Sequence, residues 1–161
     1  GQQLDHGYTA VHLRLGHLNG ETRTISRMGS PEPLSGVLRV VSCGLELSNQ
    51  SGISVTHTPI LLVTDHSSLR SFAQNRRLAN VVAPNYRSLH IGTARRVQSD
   101  EHYSTFVDLA LLAKAKCNVQ SRSGYGHMGW LLGGGTNCTM SVKSCLSSCI
   151  KDPDTKLCLR H

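Results

Sequence analysis

At 161 residues the chain has the length of one domain and is large enough to bury a core unaided. A 39% hydrophobic content with 17% charged residues excludes a disordered tail, and no apolar run is long enough to span a membrane. The net charge of +7 suits a partner with phosphates, but the basic residues are dispersed and few aromatics could stack bases, so a nucleic-acid groove is not expected.

The first predicted strand covers about Thr9–Leu15 and ends near Gly16. Side chains two apart on a strand share a face, so His12 and Arg14 point together while Val11, Leu13 and Leu15 point the other way. An imidazole beside a guanidinium at a strand end is a candidate anion site. Taken alone, the segment reads as a half-exposed edge strand carrying a solvated arginine.

After a loop rich in turn residues, Leu34, Val37, Leu38, Val41 and Leu45 recur at helical spacing, and Asn49–Gly52 ends that helix. The run Ile60–Val63 reads as a strand buried on both faces, ending at Thr64-Asp65. Ser67 or Ser68 is the expected cap of a helix over about Leu69–Leu78. Short strands are expected at Val81-Val82, closed by Pro84, and at Leu89–Ile91.

A helix over Thr105–Lys116, capped by Ser104 or Thr105, precedes a strand near Cys117–Gln120. Ser121-Arg122-Ser123-Gly124 then leads into a helix through Trp130. Strand and helix alternate, which predicts an α/β fold with a doubly wound, mostly parallel sheet. Gly133-Gly134-Gly135 is read as the boundary between a domain over 1–132 and an appended Cys-rich tail over 133–161.

Three candidate sites fall at predicted strand ends: His12 with Arg14, Thr64 with Asp65, and Ser121 with Ser123. In a doubly wound sheet those ends line one crevice. Arg14 can donate two charge-assisted bonds to a diphosphate. Asp65 suits a hydroxyl or the amide edge of a base. Helix capping is the plainer role for Asp65 and Ser121, and it outweighs the site where these residues are taken singly.

The order and content of these segments resemble the nucleotide-sugar-binding half of the fucosyltransferases, which include the α1,6-fucosyltransferases and the protein O-fucosyltransferases. The matching segments are His12-Leu13-Arg14-Leu15-Gly16-His17, Leu61-Leu62-Val63-Thr64-Asp65, and Asp108-Leu109-Ala110-Leu111-Leu112 with Cys117-Asn118-Val119 and Ser121-Arg122-Ser123. The resemblance spans roughly Thr9 to Leu132.

It implies a Rossmann-like half of a GT-B fold that binds GDP-fucose without a metal or other cofactor. Arg14 would be the catalytic residue, neutralising the diphosphate as the sugar bond breaks. His12 and Asp65 would contact the nucleoside, and Ser121 and Ser123 the phosphates. The family commonly has Asp where this chain has His17. GT-B enzymes also use two such domains with a glycan or protein acceptor between them, so transfer by this chain alone is not expected. Lacking an initiator Met, it reads as a processed product or an excised domain, completed by a partner chain or by self-association.

Of the six cysteines, Cys138, Cys145, Cys149 and Cys158 crowd the C-terminus. Their spacing is poor for zinc, even with His161, so two local disulfides are expected there, with three connectivities open. Cys43 and Cys117 pair with each other, stay buried as thiols, or bond to another chain. The nine histidines are dispersed and read as surface residues. Sequons at Asn49-Gln50-Ser51 and Asn137-Cys138-Thr139 join the cysteines in favouring the secretory lumen or the extracellular space. The competing reading is a secreted, glycosylated interaction module that keeps the fold without catalysis.

Overall fold

The computed structural model describes residues 7–14, 33–54, 56, 58–75, 78, 80–86, 102–148, 150–151 and 158–159. In chain order the main elements are β1 (Thr9–Leu13), α1 (Pro33–Gln50), β2 (Ile60–Thr64), α2 (Ser67–Gln74) and β3 (Val81–Val82). They continue with α3 (Tyr103–Lys114), β4 (Cys117–Gln120), α4 (Gly124–Leu132), β5 (Thr139–Ser141) and α5 (Val142–Ser148). Two short strands, β6 (Ile150–Lys151) and β7 (Cys158–Leu159), pair antiparallel. The predicted strand at Leu89–Ile91 lies outside the described residues, as does His17.

The five-stranded sheet is all parallel in the order β3-β2-β1-β4-β5. This is the doubly wound, Rossmann-like arrangement, and the strand order reverses between β1 and β4. β1 is therefore the central strand, with Val11 opposite both Leu62 and Val119. That corrects the edge-strand reading: every residue of β1 is buried, as is every residue of β2. The alternation of His12 and Arg14 with apolar residues mimics a half-exposed strand, because the polar face packs beneath a helix rather than against water.

Each face of the sheet carries its own apolar cluster. On one, Val11, Leu13, Ile60, Leu62 and Val119 meet Val37, Val40, Val41 and Leu47 of α1, Leu69 and Ala73 of α2, and Val142 of α5. On the other, Ala10, Leu61 and Val63 meet Tyr8, Leu112 and Ala115, with Tyr125 of α4 against them. Val37, Val40, Val41, Gly44, Leu47 and Ser48 form the buried stripe of α1 at spacings of three and four. Its one polar member is satisfied: Thr9 and Ser48 hydroxyls meet at 2.6 Å, and Ser48 donates to the Gly44 carbonyl at 2.8 Å.

α4 packs by a different device. A Cβ on Gly129 would stand 2.6 Å from the Cβ of Leu112, and one on Gly133 only 2.2 Å from the carbonyl oxygen of Ala113. Gly126 makes room for the His12 ring of β1, while Gly129 and Gly133 let the end of α4 sit almost backbone to backbone on α3. Its large apolar side chains, Met128, Leu131 and Leu132, consequently face outward and are exposed.

The C-terminal cysteines correct two expectations. Cys138 is bonded to Cys117 and Cys145 to Cys43, so both of these tail residues are bonded to the body of the domain and not to each other. The reason is topological. Residues 139–148 belong to the domain: β5 adds to the sheet beside β4, with Val119 opposite Met140, and α5 returns to the face that carries α1. Cys149 lies outside the described residues. The separations of 102 and 21 residues predict about 5 and about 3 kcal/mol of loop-closure stabilisation. Two disulfides also place the folded chain in an oxidising environment. No described helix is long and apolar enough to cross a membrane.

Candidate functional site

The carboxyl ends of β1, β2 and β4 deliver the three predicted segments to one end of the sheet, around the point where strand order reverses. Ser121, directly after β4, extends the ladder by donating its backbone N–H to the carbonyl of His12 at 3.0 Å. Its hydroxyl oxygen lies 3.1 Å from His12 Nδ1 and accepts the backbone N–H of Arg14 at 3.2 Å. The buried serine hydroxyl still has its own proton to place, and Nδ1 is the acceptor beside it. This favours the His12 tautomer that carries its own proton on Nε2.

His12 is 5% exposed and Ser121 3%. Burial drives the His12 pKa down to about 4, with the Arg14 charge pushing the same way and Asp65 opposing both. The ring is therefore neutral at physiological pH. It lies under the first turn of α4, where a Cβ on Gly126 would stand 2.6 Å from Nδ1. The Tyr125 ring sits beside it, with centroids 5.8 Å apart at a 40° tilt.

Arg14, Asp65 and Ser123 are half-buried around this core. Neither Asp65 nor Ser121 caps a helix. The cap of α2 is His66, whose ring accepts the Leu69 N–H at 3.4 Å, in place of the expected Ser67 or Ser68. Ser123 caps α4 by accepting the Tyr125 N–H at 3.3 Å. The positive end of the α4 dipole thus begins at the same sheet end as Arg14. α3 starts at Tyr103, earlier than expected, with no side-chain cap from His102, so Ser104 and Thr105 lie within it.

A buried network braces the neighbouring wall. The Arg70 guanidinium on α2 donates to the carbonyls of Thr64 and Tyr86, tying the end of β2 to the segment after β3. Tyr86 donates its hydroxyl to Asp108 Oδ1 at 2.8 Å, and Tyr125 donates to the Thr105 carbonyl. Burial and the Asp108 charge hold both phenols protonated, far above the ordinary tyrosine range. Sequence reasoning left Arg70 among the scattered basic residues and passed over Tyr86, Tyr125 and Gly126. The one local signal was the Gly-Tyr-Gly that opens a helix directly after a strand.

Among the described residues no group of three or more His, Cys, Asp or Glu side chains is placed to hold a metal ion. No family model, curated protein or solved structure matches this chain.

Proposed function

We propose that this chain is a nucleotide-sugar-binding domain of the fucosyltransferase type, which holds the diphosphate of a GDP-fucose-like donor over the carboxyl ends of β1 and β4. The observation that carries the reading is the meeting of Arg14, His12, Asp65 and Ser123 at the point where strand order reverses. A half-buried guanidinium, a helix N-terminus and a neutral imidazole together suit an anionic donor.

In this reading Arg14 neutralises charge that grows on the diphosphate as the sugar leaves, a contribution on the order of 3 kcal/mol for a preorganised donor. The Nε2–H of His12 donates to the nucleoside or phosphate, while Ser121 orients that ring. Ser123 and the first turn of α4 present hydroxyl and N–H groups to phosphate oxygens. Asp65 accepts from a nucleoside hydroxyl or amide edge. The acceptor is a glycan or a protein, presented by a second domain, and the setting is the secretory lumen.

Calorimetric titration of GDP and GDP-fucose tests this, with Arg14→Ala as control. Micromolar binding that the variant loses is expected; heat-silent mixing at millimolar nucleotide would end the proposal. A second reading, a secreted interaction module without transfer chemistry, has one observation in its favour: Tyr103, Phe106, Met128, Leu131 and Leu132 on α3 and α4 are all exposed. Sedimentation at rising concentration, without nucleotide, separates the two.

A further inference from the structure

The two sequons, more than eighty residues apart in the chain, converge in the fold. Asn49 lies in the last turn of α1 and Asn137 just before β5, and both side chains are exposed. Ser51, the hydroxyl residue of the first sequon, donates to Cys138 Sγ at 2.8 Å, and Cys138 is the middle residue of the second. Lys116 closes the group by donating Nζ to the Ser51 carbonyl at 3.0 Å. Cys117 and Thr139 begin their strands here, so this pole is the amino end of the sheet, opposite the crevice.

Both sequons are also locked once the chain has folded. Ser51 donates its N–H toward the Leu47 and Ser48 carbonyls. Thr139 is paired with Asn118 in the β4–β5 ladder, and its hydroxyl accepts from Gln120 Nε2 at 3.3 Å. Cys138 is pinned on both sides, by its bond to Cys117 and by the Asn118 N–H donated to its carbonyl at 2.9 Å. An enzyme that reads the hydroxyl two residues after the asparagine needs that segment free of the sheet.

We propose that Asn49 and Asn137 both carry N-linked oligosaccharides, clustered at the pole opposite the crevice, and that Asn137 is modified before Cys138 closes onto Cys117. In each transfer the asparagine amide nitrogen gives up one proton and bonds the anomeric carbon of a lipid-diphosphate-linked oligosaccharide. The lipid diphosphate is the leaving group, and a transferase of the secretory membrane supplies the donor. The crevice stays open because the glycans stand at the far end of every strand. This inference is independent of the nucleotide reading.

The test is expression of the full chain in a eukaryotic secretory host, followed by intact mass with and without peptide-N-glycosidase F and by peptide mapping. Two glycans are expected on the wild-type chain, one on Asn49→Gln, one on Asn137→Gln and none on the double variant. In Cys117→Ala, which leaves both sequons intact, occupancy of Asn137 is expected to equal or exceed the wild-type value. Peptide mapping reads occupancy whether or not that variant folds. A wild-type chain at its bare sequence mass, or either asparagine unmodified, overturns the clustered pair. Lower Asn137 occupancy in Cys117→Ala overturns the order of events.

Discussion

Gly126 and His12 are related by exclusion: the imidazole occupies the volume that any side chain at position 126 would claim, 2.6 Å from the Cβ position. Gly124, two residues earlier, has nothing within 4 Å of its own Cβ position. Gly126→Ala is therefore expected to displace His12, lowering stability by about 1–3 kcal/mol as overpacked sites do. Gly124→Ala is expected to leave stability within about 0.5 kcal/mol of wild type, as an exposed substitution away from packing does. Denaturation of the two variants side by side checks both.

Because His12 is neutral in the fold down to about pH 4 but titrates near 6.5 when unfolded, the unfolded chain binds the extra proton between those values. Stability is expected to fall as pH drops through that window, by roughly 3 kcal/mol in all. His12→Gln, which cannot charge, should flatten this part of the profile. Melting temperatures at half-unit intervals from pH 7 to pH 4 provide the readout.

Ser121→Ala removes the group that both Arg14 N–H and His12 Nδ1 contact. A stability loss of about 1–3 kcal/mol is expected for the buried polar atoms left behind. Nitrogen-15 correlation spectra of the His12 ring should show the proton on Nε2 in wild type and a mixture of tautomers in the variant. A wild-type ring protonated on Nδ1 would contradict the hydrogen-bond assignment.

Arg14→Lys separates charge from geometry. If the fork holds a diphosphate in two places, lysine restores the charge without the paired bonds. GDP affinity is then expected to fall about tenfold with lysine and further with alanine, a loss of one charge-assisted bond and then of both. Equal affinity in Arg14→Lys and wild type would show that only net charge matters.

β2 was legible because its burial is written in an uninterrupted apolar run, Ile60–Val63, whereas β5 at Thr139–Ser141 has no such run and was missed. The position of β1 was not legible, because its neighbours β2 and β4 lie some fifty and one hundred residues away and no local pattern reports a partner. The same limit applied to the cysteines. Cys138 and Cys145 reach Cys117 and Cys43 only because β5 extends the sheet and α5 folds back across it. Capping failed for a smaller reason: a histidine ring nitrogen can take a helix N–H as well as a serine can, so His66 displaced its neighbours. The candidate site residues were singled out by their places at strand ends, whereas Gly129 and Gly133 make sense only once α3 lies against them.

Among the described residues the sheet ends on both sides in stubs, two residues of β3 and three of β5. A strand from another molecule would find only two or three rungs on which to template itself, too few to bind durably, and short edges are a recognised defence against such growth. The large exposed apolar side chains among the described residues lie on helices, mainly α3 and α4, and not on these edges, so the described sheet backbone is left to serve as the floor of the crevice.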